Sequence, residues 1–142
     1  MADKKTKVAH ASGKRKSAVA RATIRPGTGI VRINKRILSR YEPEIAQLRI
    51  KEPIMMAGQV ITKVNISVNV RGGGWSSQTE AIRLAIARAL VDYTGSEELK
   101  KTYIEYDRHL LVADTRQKET RKPMTHGRAR AKRQKSYRWF IP

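Results

Sequence analysis

The chain has 142 residues, room for one domain and some chain to spare, and carries 31 Lys and Arg against 12 Asp and Glu, a net charge of +19. A field of that size repels itself in a compact state and calls for a polyanionic partner. An anionic membrane is the weaker candidate, since no apolar run reaches the roughly 18 residues of a spanning helix and the N-terminus lacks a signal peptide's apolar stretch.

The charge gathers at the ends. Residues 1–16 carry net +5, residues 17–114 the same +5 over a far longer stretch, and residues 115–142 net +9. This distribution predicts a basic N-terminal arm over 1–16, a globular domain over 17–114 and an extended basic tail over 115–142.

From Ser17 to Arg25, Ala18, Ala20, Ala22 and Ile24 alternate with Val19, Arg21, Thr23 and Arg25, the period of two that marks a strand. Pro26-Gly27-Thr28-Gly29 is turn chemistry and Ile30–Ile33 resumes an extended pattern, so residues 17–34 read as a hairpin. Segment 38–58 reads as helix in short pieces, because Pro43 and Pro53 suit helix starts better than interiors. Residues 60–71 alternate almost without fault and give the cleanest strand, broken by Gly72-Gly73-Gly74. Ser76, Ser77 and Thr79 offer caps for a helix running to about Tyr93, with Glu80 in its first turn, where the dipole favours an anion. Ile82, Ile86, Ala89, Leu90 and Tyr93 form its apolar face. Gly95 ends it, Ser96 opens a second helix, and His109–Asp114 read as a last short strand. The order ββ-α-β-αα-β predicts a two-layer sandwich, α+β or α/β, with helices on one sheet face. Residues 115–138 hold too little apolar surface to fold alone.

The run Arg116, Lys118, Arg121, Lys122, Arg128, Arg130, Lys132, Arg133, Lys135 and Arg138 is the strongest chemical signal. Read blandly, it is a solvated tail or a nuclear-localisation-like patch. Read functionally, it threads along nucleic-acid phosphates. Six Arg to four Lys favour the planar fork that binds phosphate bidentately, and Tyr137 and His126 can stack on unpaired bases. Ordering about 25 residues costs roughly 25–50 kcal/mol, whereas non-specific electrostatic binding supplies roughly 5–8 kcal/mol. Charge alone therefore cannot fix the tail in one shape; a preformed groove, such as folded RNA, is required.

Gly13-Lys14-Arg15-Lys16-Ser17 lacks the glycine spacing of a Walker loop, and Lys14, Arg15 and Lys16 make better sense as contacts to RNA backbone beside a strand that carries Arg21. Arg71-Gly72-Gly73-Gly74 leads from a strand into a helix. It admits three readings: a turn with no ligand, an RNA-phosphate contact through loop N–H groups, or a nucleotide pocket whose spacing misses G-x-G-x-x-G. His10, His109 and His126 have no metal-ligand spacing, and with no Cys and no clustered His no nucleophile–base pair is apparent. Asp114 reads as a cap at the exit from the last strand. The competing functions are a small-molecule kinase built on the glycine loop and a free-standing chromatin or DNA protein, for which no helix-turn-helix or zinc-finger pattern speaks.

Three stretches, GKRKSAVARA (Gly13–Ala22), RGGG…SSQTEAIRLAIARAL (Arg71–Leu90) and DTRQKETRKP…HGRARAKRQKSYR (Asp114–Arg138), carry a resemblance. On them the chain resembles the family of the universal ninth protein of the small ribosomal subunit, in its archaeal and eukaryotic form. The resemblance implies an α+β two-layer sandwich with a left-handed βαβ crossover, like the second domain of ribosomal protein S-five, and a non-enzymatic role in the cytoplasmic small ribosomal subunit. It implies a place in the subunit head on the 3′ major domain of the rRNA, beside neighbouring head proteins, with no cofactor, metal, membrane or small-molecule substrate. Expected rRNA contacts are Lys14, Arg15, Lys16, Arg21, Arg71, Gly72, Gly73, Gly74, Arg116, Lys118, Arg121, Lys122, His126, Arg128, Arg130, Lys132 and Arg133. The tail is expected to reach the anticodon stem-loop of P-site tRNA through Lys135, Tyr137 and Arg138, the last matching the family's terminal Arg. Trp139-Phe140-Ile141-Pro142 departs from the family's ending.

Overall fold

The computed structural model describes residues 7–125 and 129–130. Five strands, β1 (Ala9–Arg15), β2 (Ala18–Pro26), β3 (Val31–Ile33), β4 (Arg36–Ile37) and β5 (Val64–Arg71), form one sheet in the order β1-β2-β5-β3-β4. Three α-helices, α1 (Glu44–Met56), α2 (Trp75–Thr94) and α3 (Glu97–Tyr106), pack over it. β5 runs antiparallel to β2 and parallel to β3, so the path from β3 through α1 to β5 is a crossover between neighbouring strands. The fold is α+β, in two layers.

Alternation decides which sheet face the helices cover. Ala18, Ala20, Ala22 and Ile24 of β2 and Val64, Ile66, Val68 and Val70 of β5 are buried, and the residues between them point to solvent. Against the buried face lies α2, most of whose residues from Thr79 to Leu90 are buried. The approach is close enough to exclude side chains. A Cβ added to Gly13 would stand 2.2 Å from the Ala81 carbonyl oxygen and 2.8 Å from the Ala85 nitrogen. The small residues of Gly13–Ala22 therefore serve packing, and the cations among them serve something else.

Residues 9–15, grouped by charge with the N-terminal arm, are an edge strand paired with β2 from Ala9↔Ile24 to Arg15↔Ala18. Its alternation runs through Ala, Gly and Ser, weak strand formers that leave little sequence signal. The expected 17–34 hairpin does not form, because β5 inserts between β2 and β3. The linking loop bonds to the start of β5 instead: Gly27 N donates to Lys63 O and Gly29 N to Val64 O, while Asn65 Oδ1 accepts from Thr28 N and Ile30 N.

Segment 38–58 is less broken than expected. After a 3₁₀ turn (Leu38–Arg40), α1 runs unbroken from its N-cap Pro43 through Pro53. The buried Tyr103 hydroxyl donates to the Pro53 carbonyl at 2.7 Å, tying α3 to α1 at that turn, and burial raises the Tyr103 pKa well above the ordinary phenol range. The strand expected from residue 60 starts at Val64, since Gly58–Lys63 is 3₁₀. Helix α2 is capped by Gly74 without a side-chain hydrogen bond, and Glu80 lies beyond its first turn. Gly95 in the left-handed region and Ser96, whose hydroxyl accepts from Leu99 N, stand as expected. The last strand is absent. Arg108–Leu110 is a 3₁₀ turn whose buried Leu110 packs beside Tyr103 and Ala87, and the Arg88 guanidinium donates to Leu111 O and Ser12 O, stapling this segment to β1.

Gly13→Ala is expected to force β1 away from α2 at a cost of about 1–3 kcal/mol. Gly74→Ala, whose methyl meets nothing within 4 Å, should cost less, about 0.5–1 kcal/mol for the poorer N-cap. Urea unfolding of the two variants beside the parent chain measures the difference.

Candidate nucleic-acid interface

Cations collect in three places, and the surroundings differ. The first is a cleft of about 510 Å³ beside the N-terminal end of α2, lined by Lys14, Arg15, Lys16, Arg49, Arg83 and Arg116 and also by Glu52, Glu80, Asp107 and Asp114. Here the arginines are already paired. Arg83, only 9% exposed, donates to Asp107 Oδ2 at 2.7 Å and also pairs with Glu52 and Glu80. Glu80 pairs in turn with Arg49 at 3.1 Å. Desolvation pushes the Asp107 carboxyl up, but the His109 N–H and the Arg83 guanidinium outweigh it and hold the pKa below the ordinary value. Asp114 takes a side-on fork from Arg116 Nε and Nη2, accepts the Arg116 backbone N–H at 2.9 Å, and lies 3.1 Å from Arg15 Nη1. Those bonds from Arg116 hold the Asp114 carboxyl far below its usual range.

The second place is the solvent face of the sheet. Arg21, Arg25, Arg32 and Arg71 are exposed there, and the shallow grooves between them are lined by Asn, Ser, Thr and apolar residues without a carboxylate. The third is the tail, where Lys118, Arg121 and Lys122 are exposed along irregular chain and Arg130 forks onto Glu119.

Comparison with known proteins settles the lineage. The family model described as Ribosomal protein S9/S16 matches residues 13–138. Small ribosomal subunit protein uS9 of Methanococcus maripaludis strain C7 is 45% identical over 133 residues, 93% of this chain and 99% of that protein. The uS9 of Methanothrix thermoacetophila is 48% identical over 132 residues, with the same coverage. The chain belongs to the ribosomal protein S9/S16 family.

Family membership makes it a structural constituent of the small ribosomal subunit, and not an enzyme. Gly72 and Gly73 have φ of +76° and +67°, and a Cβ on Gly72 would stand 2.4 Å from Ser17 O, so this loop is a tight crossing packed on the β1–β2 turn. Of the other expected contacts, the fold brings Lys14, Arg15, Lys16 and Arg116 together at the cleft and sets Arg21 and Arg71 on the sheet face. His126, Arg128, Lys132, Arg133, Lys135, Tyr137 and Arg138 lie outside the described residues. The sequence reading missed Arg25, Arg32 and Lys35. The period-two pattern carried the signal for the first two, since each alternates with buried neighbours. It also missed that four carboxylates would converge on the cleft, a convergence no local pattern encodes.

Arg83→Gln is expected to cost about 1–3 kcal/mol by leaving part-buried carboxylates unpaired. Because Asp107 titrates below its ordinary value in the fold, its share is complete above about pH 4 and is lost as the pH falls further. Urea unfolding at pH 7 and pH 3 should show the gap between parent and variant shrinking at the lower pH.

Proposed function

We propose that the chain binds small-subunit rRNA in the 3′ major domain of the subunit head, against neighbouring head proteins, and sends its tail toward the anticodon stem-loop of P-site tRNA. What carries the reading is the unbroken family match from residue 13 to residue 138, which takes in the whole cationic tail as well as the fold. A platform that does not need the tail is supported by the described strands, helices and buried core residues, all of which lie before residue 111. The described tail residues 115–122 are exposed and carry Arg116, Lys118, Arg121 and Lys122. Chain of this composition gains shape from directed hydrogen bonds to folded RNA, as its entropy requires. Lys135, Tyr137 and Arg138 are the proposed tRNA contacts, and the remaining tail cations, with Lys14, Arg15, Lys16, Arg21, Arg71 and the Gly72–Gly74 loop, are proposed for rRNA.

Subunits reconstituted with a chain ending at Gln134 should assemble normally yet hold P-site tRNA more weakly. A lost charge-assisted hydrogen bond is worth about 1.5–3 kcal/mol, or roughly 10- to 100-fold in affinity. Filter binding of tRNA to both subunits measures it, and equal affinities would remove the tRNA role.

A further inference from the structure

The sheet's solvent face shows a pattern that stability of the free protein does not explain. Arg21 stands opposite Asn69, Arg25 opposite Asn65, Arg32 opposite Ser67, and Arg71 opposite Val19. Directly opposed residues on one face are where a carboxylate would stabilise an arginine. At every such position the chain carries a neutral side chain instead. None of these four arginines, nor Lys35, makes an ion pair among the described residues, whereas Arg15, Arg49, Arg83 and Arg116 at the cleft all do. An arginine held by a carboxylate offers a phosphate fewer free N–H donors and a partly neutralised charge. A bare one releases only counterions.

The β3–β4 turn adds to the face. Asn34 and Lys35 have φ of +47° and +69°, a turn whose second position favours glycine. Lysine is kept there all the same. The Asn34 side chain accepts from Val70 N and donates to Val70 O, which fastens the turn to the end of β5. Lys35 is thereby set in the groove with Arg21 and Arg71. No Phe, Tyr or Trp stands on this face among the described residues: beside the cations stand His10, whose ring nitrogen lies 3.1 Å from Thr23 Oγ1, and Ser12, Val19, Thr23, Asn65, Ser67 and Asn69. Sheets that read unpaired RNA stack bases on exposed aromatic side chains. This one has amides and hydroxyls, which suit phosphates and 2′-hydroxyls.

We propose that the solvent face of the sheet is an RNA-docking surface separate from the tail, and that it grips the sugar–phosphate backbone of a base-paired RNA helix through Arg21, Arg25, Arg32, Arg71 and Lys35 without stacking bases. The proposal rests on the reading that the chain binds rRNA and names the surface and the form of RNA it takes. Arg21 and Arg25, four positions apart on β2, are spaced by about 13 Å, so the face spans more than one phosphate along a strand.

The test uses the full chain, a triple variant Arg21→Gln/Arg25→Gln/Arg71→Gln, and Arg49→Gln from the cleft. Each is titrated at several salt concentrations with a transcript of the 3′ major domain, an RNA hairpin and an unpaired oligouridine of equal length. The triple variant should flatten the slope of log affinity against log salt for the transcript and the hairpin by about 2–3, near 0.7–0.9 for each phosphate released. Arg49→Gln should leave that slope unchanged, and the parent should prefer the hairpin to oligouridine. A parent chain that binds no RNA would overturn the rRNA reading itself. A parent that binds, with an unaltered slope in the triple variant, would overturn only the sheet assignment. So would a triple variant that keeps its RNA affinity but fails to enter subunits, since the face would then dock a neighbouring protein. The substituted side chains are exposed, and matching thermal unfolding curves exclude misfolding as the cause.

Discussion

Carboxylates are scarce in this chain, and where they are spent decides what its cations can do. Four of the six carboxylates that form ion pairs among the described residues, Glu52, Glu80, Asp107 and Asp114, converge on one cleft beside α2. There they neutralise Arg15, Arg49, Arg83 and Arg116 and tie β1, α1, α2 and the start of the tail together. That leaves the sheet-face arginines and, in the tail, Lys118, Arg121 and Lys122 without an ion pair among the described residues. The chain places four of its twelve acids where the helices, the hairpin turn and the tail exit are joined.

Packing makes that concentration possible. Gly13 and the alanines of β2 let the hairpin lie directly on α2, which brings the Lys14–Ser17 turn level with Ser76 and Ser77 and against the cleft. The residues between the small ones then emerge on the opposite face as a row of exposed polar and cationic side chains. One alternating stretch, Gly13–Ala22, thus builds the core with one face and the proposed RNA interface with the other. Arg88 extends the same logic, since its guanidinium binds carbonyls of both β1 and the segment leaving the core and fixes where the tail starts.

The sequence disclosed what local pattern can carry. The alternation of β2 and most of β5, the long apolar face of α2, and the Gly95–Ser96 break are all short-range signals, and each was read nearly in place. What escaped depends on distant residues. The insertion of β5 between β2 and β3 rests on ladders to both strands, with Asn65 taking two loop N–H groups at one end, and no window around residue 30 reveals it. β1 was hidden because Ala, Ser and Gly signal strand weakly. Pro53 suggested a break, yet it is buried within α1 and its carbonyl takes the Tyr103 hydroxyl, a contact fifty residues away in sequence. For the interface, the tail cations announced themselves by number, while Arg25, Arg32 and Lys35 acquired meaning only once the register showed neutral neighbours across from the arginines.

What most directly probes the account is amide hydrogen exchange of the whole chain, free and bound to a 3′ major domain transcript. Strands β2 and β5 and helix α2 should be protected in both states, and residues 117–122 should exchange freely until RNA is added and slow only then. Strong protection of 117–122 in the RNA-free chain would mean that the tail holds its own shape, and the division between a self-sufficient platform and RNA-shaped extremities would be wrong.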